Sequence, residues 1–469
     1  MPVQFGAQTR PAHFFGDPVN QRVRPKFLIA VLAAGAFVAS LTQTLILPLL
    51  PSIPERLGIS ADEASWLVTV TVIVGTVSNP LLGRLGDQFG RRRLLLVSLG
   101  AFTIGSVVVA GFSDPVLLLI GRGVQGIATA AIPLGISIAA TTLRGTSRAR
   151  AIALISATLG IGGAIGLPIA GVLAEALGFH GTFWLTAGVG VLTIVAVAFV
   201  VPPSPRQTEP ASVDIVGSLL LAAAITSSLI VLAELAAGMN ATMALSLTVV
   251  AVGSLAAFLT VELRAKHPLI DLRVAIRRPV ILANIAGFGI GLVFFTNTLS
   301  LITEAQLQPP AGLGLGLTAA GLSLLPGGLA MATAAPLSAS ITRRWGSRIT
   351  LIIGSLMVVA ALVFRFLANT ELWQLVVTAV IVFTGVGFAY AAMATVVVDA
   401  SPSTQAGSAS GLNALTRSLG TAVASTTFGA LLGATGRNTE TILFITAALS
   451  VVAIVASFAM PERSRDSRS

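Results

Sequence analysis

The residues best suited to chemistry in this chain fall into one loop, one apolar stretch and a scatter of single carboxylates. The loop reads GRLGDQFGRRRLLL from Gly83, with Asp87 beside Arg91, Arg92 and Arg93. A carboxylate next to guanidinium groups makes charge-assisted hydrogen bonds, and Gly83 and Gly90 suit tight turns and close backbone approach. The stretch GRGVQGIATAAIPLG from Gly121 embeds Arg122 and Gln125 among apolar residues. Glu304 follows a polar run of Thr296, Asn297, Thr298, Ser300 and Thr303, while Glu175 and Glu234 stand near the ends of other apolar runs. An ionisable group inside a lipid-spanning segment costs about 2.5–3.5 kcal/mol on insertion scales, so each needs a compensating role. Arg122 either bonds to carbonyls of neighbouring helices or serves as a cavity cation that tunes an acid or faces an anionic substrate. Glu304 is either a solvated helix end or a carboxylate for protons or substrate. Glu234 carries the same pair of readings.

Other chemistries are excluded by composition. The chain has no cysteine, so thiolate metal sites and cysteine nucleophiles are absent. Lys26 and Lys266 are its two lysines, and neither belongs to a phosphate-binding G-x-x-x-x-G-K-[ST] loop. His13, His180 and His267 are dispersed. No cofactor, metal site or enzymatic activity is expected, and the net charge of +10 is read through its distribution over loops rather than as a nucleic-acid signal.

The elements that must hold these residues are membrane helices. Of 469 residues, 55% are hydrophobic and 10% charged, with mean hydropathy +0.93. Soluble domains carry about 25% charged residues. A span needs about 20 apolar residues, and unbroken runs of that length rich in Leu, Ala, Val and Gly argue for helices over the alternating pattern of a barrel. The hydropathy pattern predicts fourteen spans: 27–50, 64–86, 94–113, 115–142, 149–176 and 182–202, then 215–237 and 241–263, then 280–303, 316–339, 347–367, 371–398, 406–434 and 440–460. The fold class is therefore an all-α polytopic membrane protein. Its divisions are a tail at 1–26, a six-helix bundle at 27–202, and a linker with two accessory helices at 203–279. A second six-helix bundle follows at 280–460, then a tail at 461–469.

Of the 28 Lys and Arg residues, 23 lie in the tails and one set of loops, and the opposite loops hold Arg56, Arg365 and Arg437. Positive charge marks the cytoplasmic side, so both termini are expected there. The segment PLSASITRRWGSRITL from Pro336 is a degenerate echo of the Gly83 loop in the second bundle, and indicates a parallel repeat of six-helix halves.

The loop Gly83, Leu85, Asp87, Gly90, Arg91 and Arg92 resembles the signature G-x-L-x-D-x-x-G-R-[KR] of the major facilitator superfamily. Arg122, Gln125 and Gly126 resemble that family's R-x-x-Q-G pattern in span 4. TLGIGGAIGLPIAGVL from Thr158 is similar to the glycine-rich motif of drug exporters, with the usual Gly-Pro pair opened to Gly166-Leu167-Pro168. With the central helix pair, the HPLIDLRVAIRRP segment and the RSLGTAVAS stretch from Arg417, these features resemble the fourteen-span drug–proton antiporter branch. One departure stands in span 1, where QTLILPLLP has Gln43 at the place of the branch's usual aspartate.

The resemblance implies a secondary active transporter of the bacterial plasma membrane, exporting small amphipathic compounds by proton antiport as its bundles rock. Its partners would be that small molecule, protons and membrane lipids, with no nucleic acid, and the chain would act as a monomer. Substrate or proton binding would fall to Gln43, Arg122, Gln125, Asn297, Glu304 and Glu234. Conformational switching would fall to Gly83, Asp87, Gly90, Arg91, Arg92, Gly163, Gly166, Pro168 and Arg417. The missing acid at Gln43 keeps open a nutrient or lipid transporter without proton antiport, and a non-transporting receptor or scaffold is the alternative from another class.

Overall fold

A computed structural model describes residues 24–46, 53, 61–203, 214–236, 240–265, 268–309, 312–368, 371–402, 405–434 and 459. Among these, helices account for nearly all regular structure. The first bundle comprises α1 (Pro25–Thr44), α2 (Ala61–Phe89), α3 (Arg91–Gly111), α4 (Pro115–Thr142, with a 3-10 turn at Ile127–Ala130) and α5 (Gly145–Val200). The accessory helices are α6 (Ile215–Ala236) and α7 (Ala241–Arg264). The second bundle holds α8 (Arg278–Gln306), α9 (Leu317–Ser323), α10 (Leu325–Trp345), α11 (Ser347–Leu367), α12 (Leu372–Asp399) and α13 (Ala406–Ala434).

Local sequence sets the helix boundaries. Asp114 caps α4 by accepting from the Leu117 amide, with Pro115 in the first turn where its missing N–H is harmless. Glu371 and Gln374 form a reciprocal capping box on α12. The two related loops share one backbone device. Gly90, between α2 and α3, has φ 100°, and Gly346, between α10 and α11, has φ 89°, values that other residues rarely adopt. The echo seen in sequence is thus also an echo in conformation.

The expected runs 149–176 and 182–202 are two helical limbs of α5 that meet at a kink, where Gly178 takes φ 68° and ψ −173°. The span expected at 316–339 runs through α9 and α10 and bends by 41° between Thr318–Ala334 and Pro336–Trp345, at Pro336 inside α10. Among the described residues nine helices are long and apolar enough to cross a membrane, ten if the bent pair is one span. The expected span 440–460 lies outside the described residues, as does most of the linker after the first bundle.

Two main clusters form the core. Leu28, Leu32, Leu99, Phe102, Leu134 and Ile155 of the first bundle pack with Ala394 and Val398 of α12, and Ile290, Phe294, Val358, Phe383, Val386 and Tyr390 of the second pack with Ala153, Ala157 and Ile161 of α5. Lipid supplies little hydrophobic drive for helix association, so close packing through small residues does the work. The accessory helices bury Leu221, Ile225, Leu229 and Phe258 against Leu415 of α13 and Val72, Ile73 and Val77 of α2. They therefore cover one seam between the bundles. The face of α7 away from that seam exposes Leu245, Val249, Val252, Leu259 and Leu263, as a lipid-facing surface should.

Candidate functional site

The Gly83 loop meets the opposite bundle through backbone as well as charge. A Cβ on Gly83 would lie 2.5 Å from the Gly407 carbonyl oxygen, and one on Gly411 would lie 2.5 Å from the Asn79 carbonyl oxygen. Glycine on both helices lets α2 and the start of α13 touch. Asp87, 5% exposed, then reaches across: Oδ1 accepts from the Gly407 amide at 3.0 Å and Oδ2 from the Ser408 amide at 2.8 Å. Those amides belong to the first turn of α13, where N–H groups have no partner within the helix and the dipole favours an anion.

Arg91 holds the carboxylate from its own side, with Nε 3.0 Å and Nη2 2.9 Å from Oδ1, and Arg92 donates to the Ala198 carbonyl. A second cross-bundle pair lies nearby, Arg148 of α5 to Asp399 of α12 at 2.7 Å. The loop after α7 braces the same helix start. The Ser408 hydroxyl donates to the Leu269 carbonyl at 3.2 Å, and the Gln405 amide donates to Asp271 at 3.2 Å.

Arg122 is 1% exposed and fully engaged along its fork. Its Nε donates to the Leu67 carbonyl at 3.0 Å, Nη2 to the Thr42 carbonyl at 3.0 Å, and Nη1 to the Gln125 side-chain oxygen at 2.6 Å. Gln125 in turn donates to the Ser106 hydroxyl at 2.8 Å. One side chain thereby ties α1, α2 and α4, and each acceptor it meets is neutral. The side chain of Gln43, in the same turn as Thr42, lies outside the described residues, as do those of Glu175 and Glu234 and the surroundings of Gly163.

The exporter-like segment of α5 divides its small residues between two neighbours. A Cβ on Gly162 or Gly166 would overlap the hydroxyls of Ser40 and Thr44 on α1, within the first bundle, and Thr44 donates to the Gly162 carbonyl at 3.2 Å. Pro168 instead rests against the second bundle, 3.5 Å from where a Cβ on Gly321 of α9 would stand.

Glu304 requires two corrections. It is 4% exposed rather than a solvated helix end, and its partner is a residue that charge counting had placed in an outer loop. Arg365, 0% exposed near the end of α11, lies 2.7 Å from Glu304 Oε1 and donates to the Ser300 hydroxyl at 2.6 Å. Sequence reasoning missed this pair. The available signal was an arginine placed inside a span of high hydropathy instead of beyond its end.

Ser300 and Glu304 share one face of α8 with Asn297, which is fully buried with no hydrogen-bond partner for either polar atom. The Arg417 guanidinium lies over the Tyr390 ring of α12, 4.8 Å from the centroid, inside the second bundle.

The model of the Major Facilitator Superfamily matches residues 32–425 and, in a second segment, 328–469. Among curated proteins, the chain is 28% identical over 365 residues to the MFS-type transporter EfpA of Mycobacterium tuberculosis, covering 76% of this chain and 67% of that protein. It is 32% identical over 213 residues to the MFS-type transporter Rv1877 of the same species, covering 45% of this chain and 31% of that protein. A triacylglyceride transporter of M. tuberculosis is 32% identical over 213 residues, covering 44% of this chain and 41% of that protein. The aligned segment thus spans about a third of the length of Rv1877. Among solved structures, the human organic anion transporter MFSD10 (TETRAN) superposes with a TM-score of 0.67 at 16% identity, over 93% of this chain and 99% of that one. The proton:xylose symporter XylE gives 0.64 at 15% identity, over 92% and 94%. These two likenesses concern the fold alone.

Proposed function

Since this chain belongs to the major facilitator superfamily, a family of membrane transporters and not of enzymes, we propose that it is a secondary active exporter of small amphipathic compounds. It would work by proton antiport in a bacterial plasma membrane, with fourteen spans and both termini in the cytoplasm. The observation that carries the reading is Asp87, which caps the opposite bundle's α13 and can hold the cytoplasmic end shut. Rocking the bundles breaks those two bonds and opens that end. The span-5 segment with Gly162, Gly166 and Pro168 supports export as the direction.

Proton coupling needs a carboxylate that titrates as the bundles move. Gln43 cannot supply it. Glu304 can, because protonating it removes the counter-charge of Arg365 and unlocks α8 from α11. In this scheme Arg122 positions α1 and α2 around the cargo path, and Gln125 and Asn297 offer polar contacts to the cargo.

A second reading has a specific observation behind it. Span 1 lacks its acid, and relatives include a triacylglyceride transporter, so lipid movement without proton antiport is the competing proposal. Proteoliposomes decide between them. Uptake of a panel of dyes and acyl glycerides into acid-loaded vesicles should require the pH gradient for the wild type and lose that requirement in Glu304→Gln. Glyceride transfer that ignores the gradient in both proteins would favour the lipid reading.

A further inference from the structure

Three arginines are buried in the described helices of the two bundles, and they differ in what answers their charge. Arg122 donates to three neutral acceptors, and Arg365 meets the Glu304 carboxylate. Arg417, 2% exposed, has neither arrangement: its Nε and Nη1 have no hydrogen-bond partner, and among the described residues no carboxylate pairs with it. The Tyr390 ring attracts the cation through its face, but a ring face does not satisfy N–H groups lying in the guanidinium plane.

Two more residues of the second bundle carry buried orphan atoms. The Tyr390 hydroxyl is fully buried without a partner, and so are both polar atoms of Asn297. Asn297 stands one turn beyond Phe294 on α8, and the Phe294 ring packs against Tyr390 at 6.4 Å and Phe383 at 5.1 Å between centroids. Water can satisfy a buried hydroxyl or amide. It cannot supply the opposite charge that a desolvated guanidinium lacks. Around Arg417 the arrangement has donors from two helices, one fixed positive charge and an aromatic wall.

We infer that Arg417 and Tyr390 form a subsite for the anionic head group of an amphipathic cargo, a carboxylate or a phosphate, with Phe294 and Phe383 beside it for the start of the apolar body. The guanidinium offers its unpaired N–H groups to the anion's oxygens, and the tyrosine hydroxyl can donate to the same anion. α13 also packs against α2, so the subsite borders the seam that opens when the bundles rock. This inference rests on the proposed amphipathic cargo and narrows it to anions.

The test uses the full chain in phosphatidylcholine nanodiscs, with empty discs subtracted, and measures equilibrium binding of dodecanoate, dodecylphosphate and dodecyltrimethylammonium. The wild type should bind the two anions at least tenfold more tightly than the cation, a difference of about 1.4 kcal/mol. Arg417→Gln should erase that preference, and Tyr390→Phe should weaken anion binding about threefold. Discs containing phosphatidylglycerol identify the source. Loss of dodecanoate binding there assigns the subsite to a membrane lipid head group, and retained binding assigns it to a soluble amphiphile.

Wild-type protein without an anion preference, or Arg417→Gln with the preference intact, overturns the inference and leaves a water-filled polar cluster. If Arg417→Gln does not assemble, Arg417→Lys decides: reduced affinity with retained selectivity supports the fork, and unchanged affinity overturns it. Selective binding without gradient-driven flux would remove the exporter reading and keep the subsite. Gradient-driven flux of cationic dyes with no anion preference would do the reverse.

Discussion

Replacing Asp87 by asparagine should open the end of the molecule that its carboxylate holds shut. The side chain keeps its shape in Asp87→Asn but loses its charge and turns one acceptor into a donor. One of the two α13 amides, Gly407 or Ser408, then faces an N–H instead of an oxygen. Hydrogen bonds to a charged group contribute about 1.5–3 kcal/mol, and an anion at a helix N-terminus a further 0.3–1 kcal/mol or so. The Arg91 contact lies on the same side of the interface as Asp87, so it persists in both states and is left out of the difference. The remaining loss is about 2–3 kcal/mol in the closed-to-open equilibrium, or roughly 30- to 150-fold at 1.4 kcal/mol per decade.

Because the chain has no cysteine, spin labels can be placed at Phe89 and Pro402, both exposed, without removing native thiols. Pulsed electron–electron resonance should show a single short distance in the wild type and a substantial long-distance population in Asp87→Asn. An unchanged distance distribution, with the protein folded, would refute the latch.

Three other outcomes follow from the same contacts. Gly407→Val should give the same long-distance population, because its side chain has no room beside the Gly83 carbonyl and the Asp87 carboxylate; a wild-type distribution would show that the interface has slack. Removing one partner of the buried Glu304–Arg365 pair should destabilise by about 3–5 kcal/mol, whereas the double variant Glu304→Gln with Arg365→Met should recover part of that loss. Thermal unfolding of the two singles and the double in detergent measures the coupling, and additive losses would mean the pair does not interact. Arg122→Ala should abolish flux because α1, α2 and α4 lose a shared donor, and Arg122→Lys should restore only part of it, since an ammonium cannot span three acceptors in the planar fork.

What could be read from sequence tracked whether the signal was local. The loop from Gly83 to Arg93 carries its own spacing, and its turn glycine, acid and arginines stand where that spacing suggested. The donors of the latch were illegible, because Gly407 and Ser408 contribute backbone amides and no side-chain type announces them. Glu304 and Arg365 each looked like a helix end when taken alone. Only the packing of the second bundle brings them to 2.7 Å, and a buried opposite charge reverses the reading of both. The break between the runs 149–176 and 182–202 falls at Gly178, where one glycine lets two helices follow each other without a hydrophilic loop. The surroundings of Arg417 were illegible for a related reason: its motif lies on the seam helix, but its side chain packs onto Tyr390 of a neighbouring helix.

The account stands or falls on exchange of protons for cargo. The most direct measurement is the internal pH of acid-loaded proteoliposomes carrying a trapped pH-sensitive dye, followed as dodecanoate or an anionic dye is added outside, with cargo-free protein and empty vesicles to subtract passive flip of the protonated acid. Wild-type protein should alkalinise the lumen in proportion to cargo entering, and Glu304→Gln should admit cargo without that change. Cargo entry in the wild type with no accompanying proton movement would contradict the central claim.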